Sequence, residues 1–163
     1  MEYVWITGPS AIGKYTLANR LADANNAELR ERLGIANPVQ LIGYAQSFEQ
    51  LAAFDNFKTG LIIWQVKQDH LIDELAERKP AAEQRIILVW RPFDQHLAGY
   101  KEKRLRCYPS GFSESTPEED WLAALRYVRP TDLGFVLKHA AKGITVVDAS
   151  DGYAILPEWP NDE

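Results

Sequence analysis

Tyr3-Val4-Trp5-Ile6-Thr7-Gly8-Pro9-Ser10-Ala11-Ile12-Gly13-Lys14-Tyr15-Thr16 decides how this chain is read. Residues 3–6 form an apolar run of the kind a buried strand needs. Leu17, Ala18, Leu21 and Ala22 then recur at the spacing of one helix face. Between strand and helix the chain runs Gly, four residues, Gly-Lys. Gly8 and Gly13 allow the backbone to curl and bring its N–H groups onto an anion. A helix starting near Lys14 adds its positive dipole end, and Lys14 adds a mobile point charge. An ordinary glycine turn would explain the two glycines but not Lys14. Residues 8–16 (Gly8, Pro9, Ser10, Ala11, Ile12, Gly13, Lys14, Tyr15, Thr16) are therefore expected to cradle the phosphates of a nucleotide.

The position after the Lys usually carries Ser or Thr, whose hydroxyl holds magnesium. Here it is Tyr15, whose hydroxyl lies too far from the backbone to substitute, and Thr16 follows. Two alternatives stand: Mg²⁺ is held through water and the nucleotide's own oxygens, or metal-dependent catalysis is impaired. The loop resembles those of adenylate kinases and phage deoxynucleotide kinases, where a non-hydroxyl residue separates Lys and Thr. That resemblance implies that Thr16 supports the α-phosphate side.

Outward from the loop, apolar runs alternate with helical patterns. Strands are expected at about 2–7, 39–44, 60–64, 86–90 and 144–148, as in a parallel sheet covered by helices. Ser47-Phe48-Glu49-Gln50 reads as a capping box. Helices are expected over 67–78, over about 93–103, from the Thr116 cap with Pro117 at its first position, and over about 131–142, closed by Gly143. The expectation is one domain over residues 1–156, with a loosely ordered tail at 157–163. The chain has 163 residues, 46% apolar and 25% charged, with a net charge of −5. That balance argues against a broad nucleic-acid-binding surface but not against a local basic groove. No apolar run is long enough to cross a membrane. The single Cys107 fits a reducing cytosol, and no leader segment is read at the N-terminus, so a cytoplasmic protein is expected.

Size and element order resemble the P-loop kinases. The resemblance implies a P-loop NTPase-type three-layer α/β/α fold with a five-stranded parallel sheet. Val146-Val147-Asp148-Ala149-Ser150 is similar to the turn that borders adenine in nucleoside-monophosphate kinases, which implies that Asp148, Ala149 and Ser150 flank the base. Asp and Ser also end strands for purely local reasons. Basic residues from Lys101 to Arg106, then a Pro/Ser/Gly-rich loop, stand where such kinases carry a lid, here expected at about 104–116. Arg104 and Arg106 are its candidates for stabilising the transferring phosphoryl group, with Arg126 and Arg129 as second candidates. Each could equally answer a helix dipole.

Two acids common in these enzymes are missing. The third strand runs into Gln65, and the second ends Tyr44-Ala45-Gln46. The nearest acids are Glu49, Asp55 and Asp69, each of which could equally be a solvated helix acid. Asp69, one helical turn beyond Gln65, is the candidate catalytic acid, and Tyr44 and Gln46 suit a base-binding pocket or an ordinary loop. His70, His96 and His139 show no metal-ligand spacing, and no metal ligands are assigned. These features point to an ATP- and Mg²⁺-dependent phosphotransferase acting on a nucleoside, nucleotide or polynucleotide, with Lys14, Arg104, Arg106 and Asp69 as catalytic candidates. DNA could enter through the basic lid. The alternative is a catalytically weak nucleotide-binding module that regulates or assembles.

Overall fold

Strand β1 (Glu2–Thr7) is buried along its whole length, because helices cover both of its faces. In this computed structural model the described residues are 2–36, 38–45, 47–53, 60–65, 70–107, 111–129 and 143–160, with Tyr44 and 60–65 described by backbone alone. After β1 come α1 (Lys14–Ala22), α2 (Ala27–Arg32), β2 (Val39–Tyr44), α3 (Phe48–Ala52) and β3 (Gly60–Gln65). Then follow α4 (His70–Arg78), β4 (Glu83–Trp90), α5 (Phe93–Cys107), α6 (Glu118–Val128), β5 (Ile144–Asp148) and β6 (Ala154–Leu156).

The strands form one sheet in the order β2-β3-β1-β4-β5-β6. The first five run parallel to their neighbours, and β6 pairs antiparallel with β5 through Val146–Leu156 and Asp148–Ala154. The sheet is therefore mixed and six-stranded, not the expected five-stranded parallel one. A tight turn at 149–153 lets a short apolar segment return along β5 and cover its edge.

The period of two along β1 divides the core. Val4 and Ile6 face α1 and α2, packing with Leu17, Leu21, Leu29, Ile87, Val89 and Val147. Tyr3 and Trp5 face α3 and α4, packing with Leu51, Leu71, Ile72, Leu75 and Ile86. Each fully buried Leu or Ile here contributes about 1.5–3 kcal/mol. A third cluster joins α5 to α6 through Leu97, Tyr100, Trp121 and Leu125.

Ser47 caps α3 as expected, its Oγ accepting from the Gln50 N–H at 3.3 Å. Other boundaries differ. β4 starts at Glu83 and α5 continues to Cys107, so Arg104 and Arg106 lie on a helix rather than in a loop. Pro117, not Thr116, is the N-cap of α6, because the Thr116 hydroxyl accepts from the Ser113 N–H and closes the preceding turn. α2 was not anticipated. The helix expected over 131–142, the start of the one expected at 67, and part of the lid and tail lie outside the described residues. Among the described residues no helix is long and apolar enough to cross a membrane.

Candidate functional site

The strand order reverses at β1: β2 and β3 lie on one side, β4 and β5 on the other. The crevice outside the carboxyl end of such a strand is where open α/β sheets bind ligands. Residues 8–13 fill that position here, and Gln65, Trp90 and Asp148 end the neighbouring parallel strands.

Three residues hold the loop in left-handed or related backbone: Gly8 at φ 148°, Ala11 at 64° and Gly13 at 110°. A side chain at Gly8 would meet the Val89 carbonyl at 3.0 Å and Ile12 Cγ2 at 2.9 Å, so only glycine fits. Ala11 has no such exemption, and its conformation stores about 1–3 kcal/mol of strain that the surroundings must hold. Buried Ile12 provides part of that hold by plugging the loop into the core. Gly13 caps α1 without a side-chain bond, and no acid occupies the first helical turn. The helix start is thus open to an external anion. Lys14 Nζ donates to the Gly8 carbonyl at 2.5 Å, which sets its ammonium across the loop. Tyr15 is 57% exposed and Thr16 is exposed, so neither is tied into the core.

One face of α5, carrying His96, Gly99 and Lys103, lies against the loop. The spacing of three and four residues puts them on a single stripe. His96, fully buried, approaches the Ser10 carbonyl with Nε2 at 2.8 Å. Its Nδ1 faces Arg129 Nη1 at 3.0 Å. Arg can only donate, so Nδ1 accepts and Nε2 carries the proton given to Ser10. Lys103 Nζ donates to Ser10 Oγ at 3.0 Å. At Gly99 a Cβ would stand 3.3 Å from the Ala11 carbonyl. Arg129 is 2% exposed and also donates to the Arg91 carbonyl at 2.7 Å, fastening α6 to the β4–α5 junction.

The turn at 148–150 lies beside the loop, with Ala149 Cβ 3.9 Å from where a Gly13 Cβ would be. Asp148 Oδ1 accepts from both the Ser150 N–H and the Ser150 hydroxyl, so this carboxylate shapes its own turn.

The lid candidates face elsewhere. The Arg104 guanidinium lies 5.1 Å from the Phe112 ring centre and 5.9 Å from that of Tyr100. Phe112 in turn packs on Trp121 at 4.6 Å. Arg106 is solvent-exposed, 3.8 Å from Glu102, and its pKa is raised first by a hydrogen bond to Cys107 and then by charge. Arg126 is exposed, and Arg129 is buried under the β4–α5 junction. Gln46 and Asp69 lie outside the described residues, and Tyr44 is placed only as the end of β2. Among the described residues no group of three His, Cys, Asp or Glu side chains could hold a metal.

Sequence reasoning missed Arg91, His96, Gly99 and Lys103 as neighbours of the loop. Two signals were present. A glycine inside a helix costs about 0.5–1 kcal/mol relative to Ala and so marks a close approach. An Arg straight after an apolar strand emerges at the sheet's carboxyl edge.

No family model matches the chain, and no curated protein matches it. Among solved structures it is similar to mouse sulfotransferase SULT7A1, in a crystal structure complexed with PAP. The TM-score is 0.54 at 12% identity, over 90% of this chain and 51% of that one. The chain thus spans about half the length of that sulfotransferase. At such identity the likeness speaks for the fold alone, and with the sheet order and loop geometry it gives this protein a P-loop-like, three-layer α/β fold.

Proposed function

We propose that this protein is a nucleotide-dependent phosphotransferase, moving the γ-phosphoryl group of ATP to a hydroxyl or phosphate of a nucleoside, nucleotide or polynucleotide, modified-base DNA included. One observation carries the reading: a strained glycine loop at the sheet's switch point, opening a helix free of acids and side-chain caps, with Lys14 folded across it. In this reading residues 8–16 hold the phosphates and Ala149 and Ser150 border the base. Lys14 neutralises charge that develops in transfer. Arg104 and Arg106 belong to the lid and come onto the transferring group when nucleotide binds. Tyr44 and Gln46 serve the acceptor, Asp69 is the candidate acid, and the reaction is placed in the cytoplasm. The nucleotide complex of the structurally similar sulfotransferase supports a nucleotide as the ligand.

The described residues fit phosphates better than they fit Mg²⁺. Exposed Tyr15 stands where a short hydroxyl is needed, and β3 ends in Gln65. No step is assigned to a protein-held metal. The same features favour a second reading, a nucleotide-binding module that catalyses poorly and regulates or assembles.

The test is a transfer assay with γ-labelled ATP against nucleosides, nucleotides and DNA, with and without Mg²⁺, beside the Lys14→Ala variant. Label on an acceptor, lost in the variant, supports the transferase. ATP binding without transfer to any acceptor supports the module.

A further inference from the structure

We propose that Arg91 is a second fixed phosphate-binding cation, gripping the di- or triphosphate of the ligand from the β4–α5 junction. This rests on the reading of residues 8–16 as a phosphate site. The guanidinium lies between two glycines. Its Cζ and Nε are 3.9 Å from where a Gly13 Cβ would stand, and Nη1 is 3.6 Å from where a Gly99 Cβ would stand. Gly13 is the residue that opens α1, so the guanidinium borders the same uncapped N–H groups an anion would use.

Three features argue that this position is built. Gly99 sits inside α5 with no unusual backbone angle, so its lack of a side chain answers a need for space. Larger residues there would press on the Ala11 carbonyl and on Arg91 together. The Arg91 backbone is pinned by buried Arg129, which fixes where the side chain starts. The Arg91 Nε is buried and has no hydrogen-bond acceptor among the described residues, and no described carboxylate pairs with the side chain. A desolvated N–H donor left without an acceptor carries an uncompensated cost, and a phosphate oxygen would remove it. The planar fork suits two oxygens of one phosphate, which the Lys14 ammonium cannot span.

Titration calorimetry with inorganic pyrophosphate and with ATP tests this on wild type, Arg91→Gln, Arg91→Lys and Lys14→Ala. Arg91→Gln should weaken both ligands about ten- to a hundredfold, the scale of losing a charge-assisted hydrogen bond. Arg91→Lys should recover only part of that, since it restores charge without the fork. Unchanged affinity in Arg91→Gln, with loss in Lys14→Ala, overturns the role of Arg91 and leaves the loop standing. Unchanged affinity in both variants overturns the phosphate site itself. Should Arg91→Gln fail to fold, phenylglyoxal labelling of the wild type decides. Pyrophosphate should protect Arg91 and leave Arg85, which faces Glu2, equally reactive. Equal labelling of Arg91 with and without pyrophosphate overturns the proposal.

Discussion

The two ends of β1 treat positive charge in opposite ways. Near its start, Arg85 on the adjacent strand lies 3.9 Å from Glu2, which is itself buried. Past its end, six residues further along the same chain, Arg91 lies against the loop at residues 8–13 and forms no ion pair with a described carboxylate. Both guanidinium groups sit against a glycine, Gly34 for Arg85 and Gly13 for Arg91. The packing is alike and the charge balance is not. At one end the guanidinium has an opposite charge 3.9 Å away, too far for a hydrogen bond, and at the other it pairs with no described carboxylate. That asymmetry matches the placement of ligands in open α/β sheets, outside the carboxyl ends of the strands. Changes at the loop should therefore alter ligand binding, and changes at Glu2 should alter folding alone.

Gly8→Ala should produce the largest effect and break the loop end outright. The new methyl would press on the Val89 carbonyl at 3.0 Å in a backbone conformation that side chains rarely adopt. Strain and overpacking together predict a loss of about 2–4 kcal/mol in folding free energy, read by urea denaturation, with ATP binding abolished. A variant as stable as wild type would mean the loop can relax, and its rigidity would not be part of the site.

Lys14→Ala separates ligand from fold. It should weaken ATP binding by about 1–3 kcal/mol in calorimetry, with denaturation within about 0.5 kcal/mol of wild type. Equal ATP affinity would sink the assignment of the loop. Arg104→Ala should lose about 0.5–1 kcal/mol of stability as its stacking on Phe112 and Tyr100 disappears. If Arg104 joins the transferring group on closure, turnover falls well beyond that figure while ATP affinity holds. A change in melting alone would make it a clamp between α5 and residue 112.

What the sequence made legible follows from the range of the interactions. Strands β1 to β5 are apolar runs fixed by local burial, and each occurs close to its expected place. The loop is a local motif, and Gly8, Gly13 and Lys14 lie where their spacing implies. The surroundings of the loop are long-range. His96 meets Ser10 across 86 positions and Arg129 meets His96 across 33, contacts no local pattern encodes. The lid expectation rested on basic residues being near the right place. Which of them turns toward the loop depends on helix phase: Lys103 shares a stripe with His96 and Gly99, and Arg104, one residue on, turns to the aromatic cluster. β6 was missed because three residues are too few for a strand signal.

The smallest effect belongs to the other end of β1. Burial raises the pKa of Glu2 above its ordinary 4.5, and the nearby Arg85 only partly opposes this. A carboxyl with a raised pKa binds its proton more tightly in the folded chain than in the unfolded one. Stability therefore falls as pH rises from about 4.5 through the folded value, and the penalty is constant above it. Below that window both states are protonated and no penalty exists. Glu2→Gln removes the titration while keeping the shape, and partly exposed Arg85 can turn its charge to water. The variant should melt higher than wild type at pH 7, by roughly 2–4 °C for each kcal/mol relieved in a chain of this size. The gain should shrink as pH drops toward 4.5 and vanish below it, with ATP affinity unchanged throughout. A variant that melts lower at pH 7 would show that the Arg85 attraction outweighs desolvation, and the amino end of β1 would then be held by its ion pair rather than in spite of a buried acid.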